Sequence, residues 1–126
     1  MNSNELKQQL GINDNGTYRI DPTSGVVQKE GIWGWQNTSM RVNSSSGVVQ
    51  SQGLLGWQNT NTRINPTSGV VQTQGIFRQS NTDVRVDPNT GVIQERGLLG
   101  WQNTPERIDP LTGRHQVQGL FGWQNK

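Results

Sequence analysis

The sequence predicts an all-β protein: tandem 22-residue β-hairpin repeats stacked as an elongated or curved β-solenoid-like array, with a short N-terminal capping helix. Three observations predict it. Arginine recurs every 22 residues, at Arg19, Arg41, Arg63, Arg85 and Arg107. Two glycine series keep the same step, one from Gly25 to Gly113 and one from Gly31 to Gly119. Tryptophan follows at Trp35, Trp57, Trp101 and Trp123, with Gln79 in the one remaining place. Self-similarity at a fixed period marks a repeat architecture, in which each unit buries its apolar face on a neighbour.

The elements follow in order. Residues 1–16 read as an N-terminal cap and half-repeat linker, and residues 17–126 as one domain of five hairpin repeats. Ser3 is the expected cap of a short helix that carries Leu6 and Leu10 one turn apart and stops at Gly11. Residues Leu10-Gly11-Ile12-Asn13-Asp14-Asn15 imitate the Leu-Gly-Trp-Gln-Asn-Thr step, with Ile12 in the Trp place. The chain then begins and ends on a linker, which favours a linear stack over a ring, with the helix over its open apolar end.

Each repeat opens on a strand such as Arg19-Ile20-Asp21 and turns through Asp21-Pro22-Thr23-Ser24-Gly25. Asp or Asn accepts from the backbone two residues on, Pro pre-sets φ, and Gly takes the left-handed conformation. Val26-Val27-Gln28 returns as the second strand, setting Ile20 opposite Val27 and Arg19 opposite Gln28. Ile20 and Val27 share the core face. On the other face the Arg–Gln pairs form a structural polar ladder: Arg19 with Gln28, Arg41 with Gln50, Arg63 with Gln72, Arg85 with Gln94, and Arg107 with Gln116.

The second half, Gly-[Ile/Leu]-x-Gly-Trp-Gln-Asn-Thr, is expected to link one hairpin to the next. Leu54/Leu55, Ile76/Phe77, Leu98/Leu99 and Leu120/Phe121 would add core there, with the tryptophans packed between hairpins. At the far end Arg114-His115 replaces the Val-Val pair and reads as a solvated polar cap. A parallel β-helix of one coil per repeat is the alternative. It would stack five arginines ~4.8 Å apart, each pair repelling by ~1 kcal/mol in water. One hairpin per repeat spaces them about two strands apart, so hairpins are preferred.

Composition agrees with a repeat protein. Apolar residues other than Gly make up 29% of the chain, well below the ~45–50% of ordinary globular domains, a class that counts Gly as well. Disorder would also call for high net charge, and the formal net charge is only +2. There is no cysteine and a single histidine, His115, so neither a thiolate nor a multi-histidine metal site is expected. The serines are turn residues with no interior histidine to activate them. Asn43 and Asn65 stand where Asp21, Asp87 and Asp109 stand in other copies, which no catalytic carboxylate would tolerate. No enzyme, cofactor or metal is expected. Arginines two residues from Asp or Asn form no basic cluster, which argues against nucleic acid. No apolar run approaches the ~18 residues of a membrane span. With neither signal-peptide pattern nor cysteine, the default location is cytoplasmic.

The expected role is that of a non-catalytic scaffold, structural, self-assembling or adhesive, associating with itself through open strand edges. The other reading is a multivalent glycan-binding module. Its candidate sites are Trp35, Gln36 and Asn37; Trp57, Gln58 and Asn59; Trp101, Gln102 and Asn103; and Trp123, Gln124 and Asn125. A part-exposed indole beside amide side chains suits a sugar ring, and repetition supplies avidity. One Thr per copy, at Thr38, Thr60, Thr82 and Thr104, is too thin an array for ice binding. In its Gly-Trp step, strand, Asp/Ser/Gly turn and second strand, the unit resembles the aromatic hairpin repeats of bacterial choline- and glucan-binding cell-wall modules. It resembles YD-type shell repeats in length and turn. The extra aromatics that build the cell-wall modules' ligand cage are absent, so neither likeness carries a ligand or a site to this chain.

Overall fold

The computed structural model describes residues 1–126. The chain is all-β apart from one short helix. Its eleven strands form one curled antiparallel sheet in which each strand pairs with its sequence neighbours. The helix is α1, Ser3–Gln9. The strands are β1 (Tyr18–Ile20), β2 (Val26–Gly31), β3 (Gly34–Val42), β4 (Val48–Gly53), β5 (Gly56–Ile64), β6 (Val70–Gln74), β7 (Gln79–Val86), β8 (Val92–Gly97), β9 (Gly100–Ile108), β10 (His115–Gly119) and β11 (Gly122–Asn125). Every pairing is antiparallel, so the parallel coil does not form.

Two kinds of connection alternate along this meander. The Asp-Pro-Thr-Ser-Gly type joins β1 to β2, with Gly25 N–H donating to the Asp21 carbonyl and Thr23 N–H to the Asp21 carboxylate, both at 2.8 Å. Gly25 has φ +75°, and a Cβ there would sit 1.9 Å from the Val42 carbonyl oxygen. Its own carbonyl accepts from Val42 N–H at 2.8 Å. The glycine therefore closes one hairpin and receives the next at the same point.

That inter-hairpin bond recurs from Gly47 to Ile64, Gly69 to Val86 and Gly91 to Ile108. It recurs once more from Gly113 to Ile20, at 2.7 Å, where Arg19 and Arg114 also bridge. The last hairpin thus meets the first in the register that joins the others. Of the elongated and curved forms expected, the sheet takes the curved one, and the linear order of its ends is corrected: the right-handed twist of a long meander carries it round until its turn-bearing ends meet. The contact there occupies the outer edge of β1 at Arg19 and Ile20.

The second kind of connection is a tight hairpin, not a core linker. Gly31 pairs with Gly34 across the two residues Ile32 and Trp33, and Gly34 carries the positive φ of +118°. Equivalent tips are Leu54/Leu55, Leu98/Leu99 and Leu120/Phe121. At Ile76/Phe77, Arg78 replaces the second glycine and its carbonyl accepts from Gly75 N–H at 2.8 Å. The apolar tip residues expected in the core stand almost wholly in solvent, Leu54 at 104% and Leu99 at 98% exposure. A two-residue loop points its side chains off the end of the strands, where no sheet face can cover them.

The core lies within the curl. Val27, Val49, Val71, Val84 and Ile93 converge there with Tyr18; α1 adds Leu6, and the segment that follows it adds Leu10 and Ile12. Asn2, not Ser3, caps α1, its side-chain oxygen accepting from Glu5 N–H at 2.9 Å. Gly11, at φ +80°, ends the helix. His115 occupies the place of Val27 in the last hairpin and is 1% exposed, so it is a core residue and not a solvated cap.

Candidate functional site

The outer face carries the polar positions. Successive strand residues point to opposite faces, so Ile20 and Val27 facing the core set Arg19 and Gln28 outward. Arg19 Nε donates to Gln28 Oε1 at 2.7 Å, and Gln28 Nε2 donates to Asn37 Oδ1 at 2.7 Å. The guanidinium lies 4.8 Å from the centroid of the Trp35 ring. Each such group spans three strands: Arg from one, Gln from the next, and Trp with Asn from the third.

The arrangement repeats as Arg41, Gln50, Asn59 and Trp57; as Arg85, Gln94, Asn103 and Trp101; and as Arg107, Gln116, Asn125 and Trp123. Trp35 also receives Arg114 at 5.2 Å, and Trp101 receives Arg96 at 4.9 Å. Arg63 differs because no indole lies beyond it. It donates from Nη1 to Gln79 at 2.9 Å and from Nε to the Ser46 carbonyl at 2.8 Å, and its bond to Gln72 lengthens to 3.4 Å.

The tryptophans of the arms are therefore not core residues, correcting the expectation that they pack between hairpins. Trp35, Trp57, Trp101 and Trp123 are half-buried on the outer face beneath guanidinium groups. Gln36, Asn37, Gln58, Asn59, Gln102, Asn103, Gln124 and Asn125 are exposed beside them. Each Asn spends its side-chain oxygen on the neighbouring Gln, which leaves its amide N–H groups as donors toward solvent.

Two arrangements escaped sequence reasoning. Thr38 Oγ1 donates to the Val27 carbonyl at 2.7 Å, where the β2–β3 register shifts. Thr60 and Thr104 do the same for Val49 and Ile93. The Thr row thus satisfies a carbonyl freed by a bulge. A Thr one step beyond Trp-Gln-Asn was visible in the sequence at Thr38, Thr60 and Thr104, but nothing local marked the bulge.

The other is a charged group inside the curl. Glu106 accepts from Lys7 Nζ at 2.9 Å and lies 2.7 Å from His115 Nε2. Burial pushes the His115 imidazole below its usual pKa, only partly offset by the hydrogen bond to Glu106. Burial of Glu106 works to raise its pKa, but hydrogen bonds from Lys7 and His115 outweigh it and hold the carboxyl below the usual range. His115 Nδ1 is buried without a partner. Outside the curl, Asp14 is held at about 2 by hydrogen bonds from Lys29, Gly16 N–H and Tyr18.

Where the Asn-Pro and Asp-Pro turns meet, Ile64, Pro66, Val86, Pro88, Ile108 and Pro110 line an open depression of about 280 Å³. No group of three or more His, Cys, Asp or Glu residues is placed to hold a metal ion. No helix is long and apolar enough to cross a membrane. No family model, curated protein or solved structure matches this chain.

Proposed function

We propose that the chain is a non-catalytic scaffold built from tandem 22-residue hairpin units, and that its role is adhesive. Each unit would supply one base hairpin to the common core and one arm to the outside. The observation that carries this reading is the set of five tips, Ile32/Trp33, Leu54/Leu55, Ile76/Phe77, Leu98/Leu99 and Leu120/Phe121, all but wholly exposed. In a strict up-and-down meander every second connection lies at the same end, so all five tips stand on one rim. Scattered single apolar residues on a surface need no explanation, but five repeated pairs on one rim do.

Replacing the tips by serine pairs, one to five at a time, tests the reading. Retention on a phenyl matrix should fall with each tip removed while thermal stability stays within about 0.5 kcal/mol. A stability loss that tracks the substitutions would make the tips structural and end the adhesive reading.

The arm tryptophans favour glycan binding as a second reading. Each is half-buried, stacked with a guanidinium and flanked by exposed Gln and Asn. Tryptophan emission with acrylamide quenching, read before and after adding a polysaccharide panel, tests it. Protection from quenching by a glycan supports this reading; indifference to every glycan removes it.

A further inference from the structure

We infer that the five tips dock into the interfacial region of a lipid bilayer with zwitterionic headgroups. The inference rests on the adhesive reading and names the surface that the tips would meet. Three observations select lipid.

First, the tips vary in shape but not in polarity. Ile-Trp, Leu-Leu, Ile-Phe, Leu-Leu and Leu-Phe occupy the same place on five otherwise similar arms. A protein pocket reads side-chain shape, and a repeated pocket would ask for one side-chain pair throughout. A fluid apolar phase reads only transfer free energy, which all five pairs satisfy.

Second, the tips are separate convex points. Along β3 and β4 the strands pair only from Met40↔Ser51 to Val42↔Val49, while the β2–β3 arm pairs on to Gly31↔Gly34. Neighbouring arms are therefore unjoined toward their tips, and no continuous apolar face exists for a second folded surface to cover.

Third, an amphipathic layer stands directly behind the tips. The residue after Gly34, Gly56, Gly100 and Gly122 is tryptophan, half-buried and with amide side chains beside it. Indoles with an apolar body and a polar edge collect at the headgroup level of membranes. The flanks carry Glu30 and Glu95 as well as Arg78 and Arg96, and the net charge is only +2, so attraction to anionic lipid is not the drive. Each tip alone would bind weakly, but five tips on one body add their partition free energies.

Flotation with phosphatidylcholine vesicles, with and without added phosphatidylglycerol, tests the inference. The expected result is binding to both, unmoved by molar salt, with the partition coefficient falling on the order of tenfold for each serine-paired tip. Trp33 is a built-in depth probe because it is the one tryptophan at a tip. Its emission should shift to the blue and be quenched by brominated phosphatidylcholine, and Trp33→Phe should keep the binding while losing that deeply quenched component. Binding that needs phosphatidylglycerol and is released by salt would overturn the inference, as would binding unaffected by all five tip replacements. If phenyl-matrix retention depends on the tips but vesicles do not bind, lipid fails and the adhesive reading stands. If retention also ignores the tips, both fail. Tip-dependent self-association without vesicle binding would assign the tips to a second copy of the chain instead.

Discussion

Glycine at the base turns illustrates how one residue type can serve two constraints at once. Gly47 has φ +76°, and a Cβ on it would lie 1.9 Å from the Ile64 carbonyl oxygen. The turn alone asks for a left-handed residue, and Asn could supply one at a small cost. The approach of the neighbouring strand excludes any side chain. Gly47→Ala is therefore expected to destabilise by about 3 kcal/mol or more, above the ordinary cost of alanine in a left-handed position. A chemical denaturation midpoint close to wild type would refute the steric argument. Gln79 offers the opposite experiment. Arg63 stands in the place of the arginines that stack on indoles, but Gln79 captures it. Gln79→Trp should let Arg63 stack and add ~0.5–1 kcal/mol, the usual worth of an exposed cation–π pair. A loss of stability would show that the Gln79 bond is the better partner.

Among the elements, α1 and the tips follow opposite rules. The helix is only Ser3–Gln9, too short to stand alone in water, and its order comes from packing. Leu6 and Leu10 are buried beside valines from several strands, and Lys7 reaches Glu106 across the curl. Leu6→Ala should cost ~2–5 kcal/mol through lost burial and the cavity left behind. A cost below about 1 kcal/mol would mean that the helix merely rests on the sheet. The tips, by contrast, touch nothing, so their apolar residues are free to change without effect on the fold. Their Gly-x-x-Gly spelling was itself a two-residue hairpin signal. Their hydrophobicity points to a core linker, but their geometry points to a hairpin tip.

For the whole molecule, the decisive fact is that the core is common property. Val27, Val49, Val71 and Ile93 belong to different hairpins yet lie in one cluster around α1. A linear repeat protein unfolds as a chain of neighbour terms, whereas a shared core should melt in one step. Fluorescence and far-ultraviolet dichroism are therefore expected to give coincident transitions; separated midpoints would return the chain to a linear scheme. Stability should also depend on pH through His115. Its folded pKa lies below the ordinary 6.5 because burial disfavours the charged ring, so the unfolded chain binds the proton first. The contribution is complete above pH 6.5 and declines as pH falls below it. Glu106, depressed below 4.5, adds its own loss lower still. His115→Val, which installs the residue found at positions 27, 49 and 71, should flatten the upper part of that slope. An unchanged slope between pH 5 and 7 would place its source elsewhere.

Local chemistry by itself determined the hairpins. The Asp-Pro-Thr-Ser-Gly turn sets the register, the register sets the faces, and Ile20 opposite Val27 and Arg19 beside Gln28 follow within ten residues of chain. The all-β class was legible for the same reason. Only the tertiary structure decided that the sheet curls until Gly113 meets Ile20, because closure depends on a small twist summed over many strands, which no single strand records. Closure in turn decided what is inside. It buried His115 against the partly buried Glu106 and Lys7, turned the indoles outward under arginine, and left five apolar dipeptides at the tips in water. Hydrophobicity alone would have buried those tips, but a two-residue loop at the rim of a curled sheet has no neighbour to bury it.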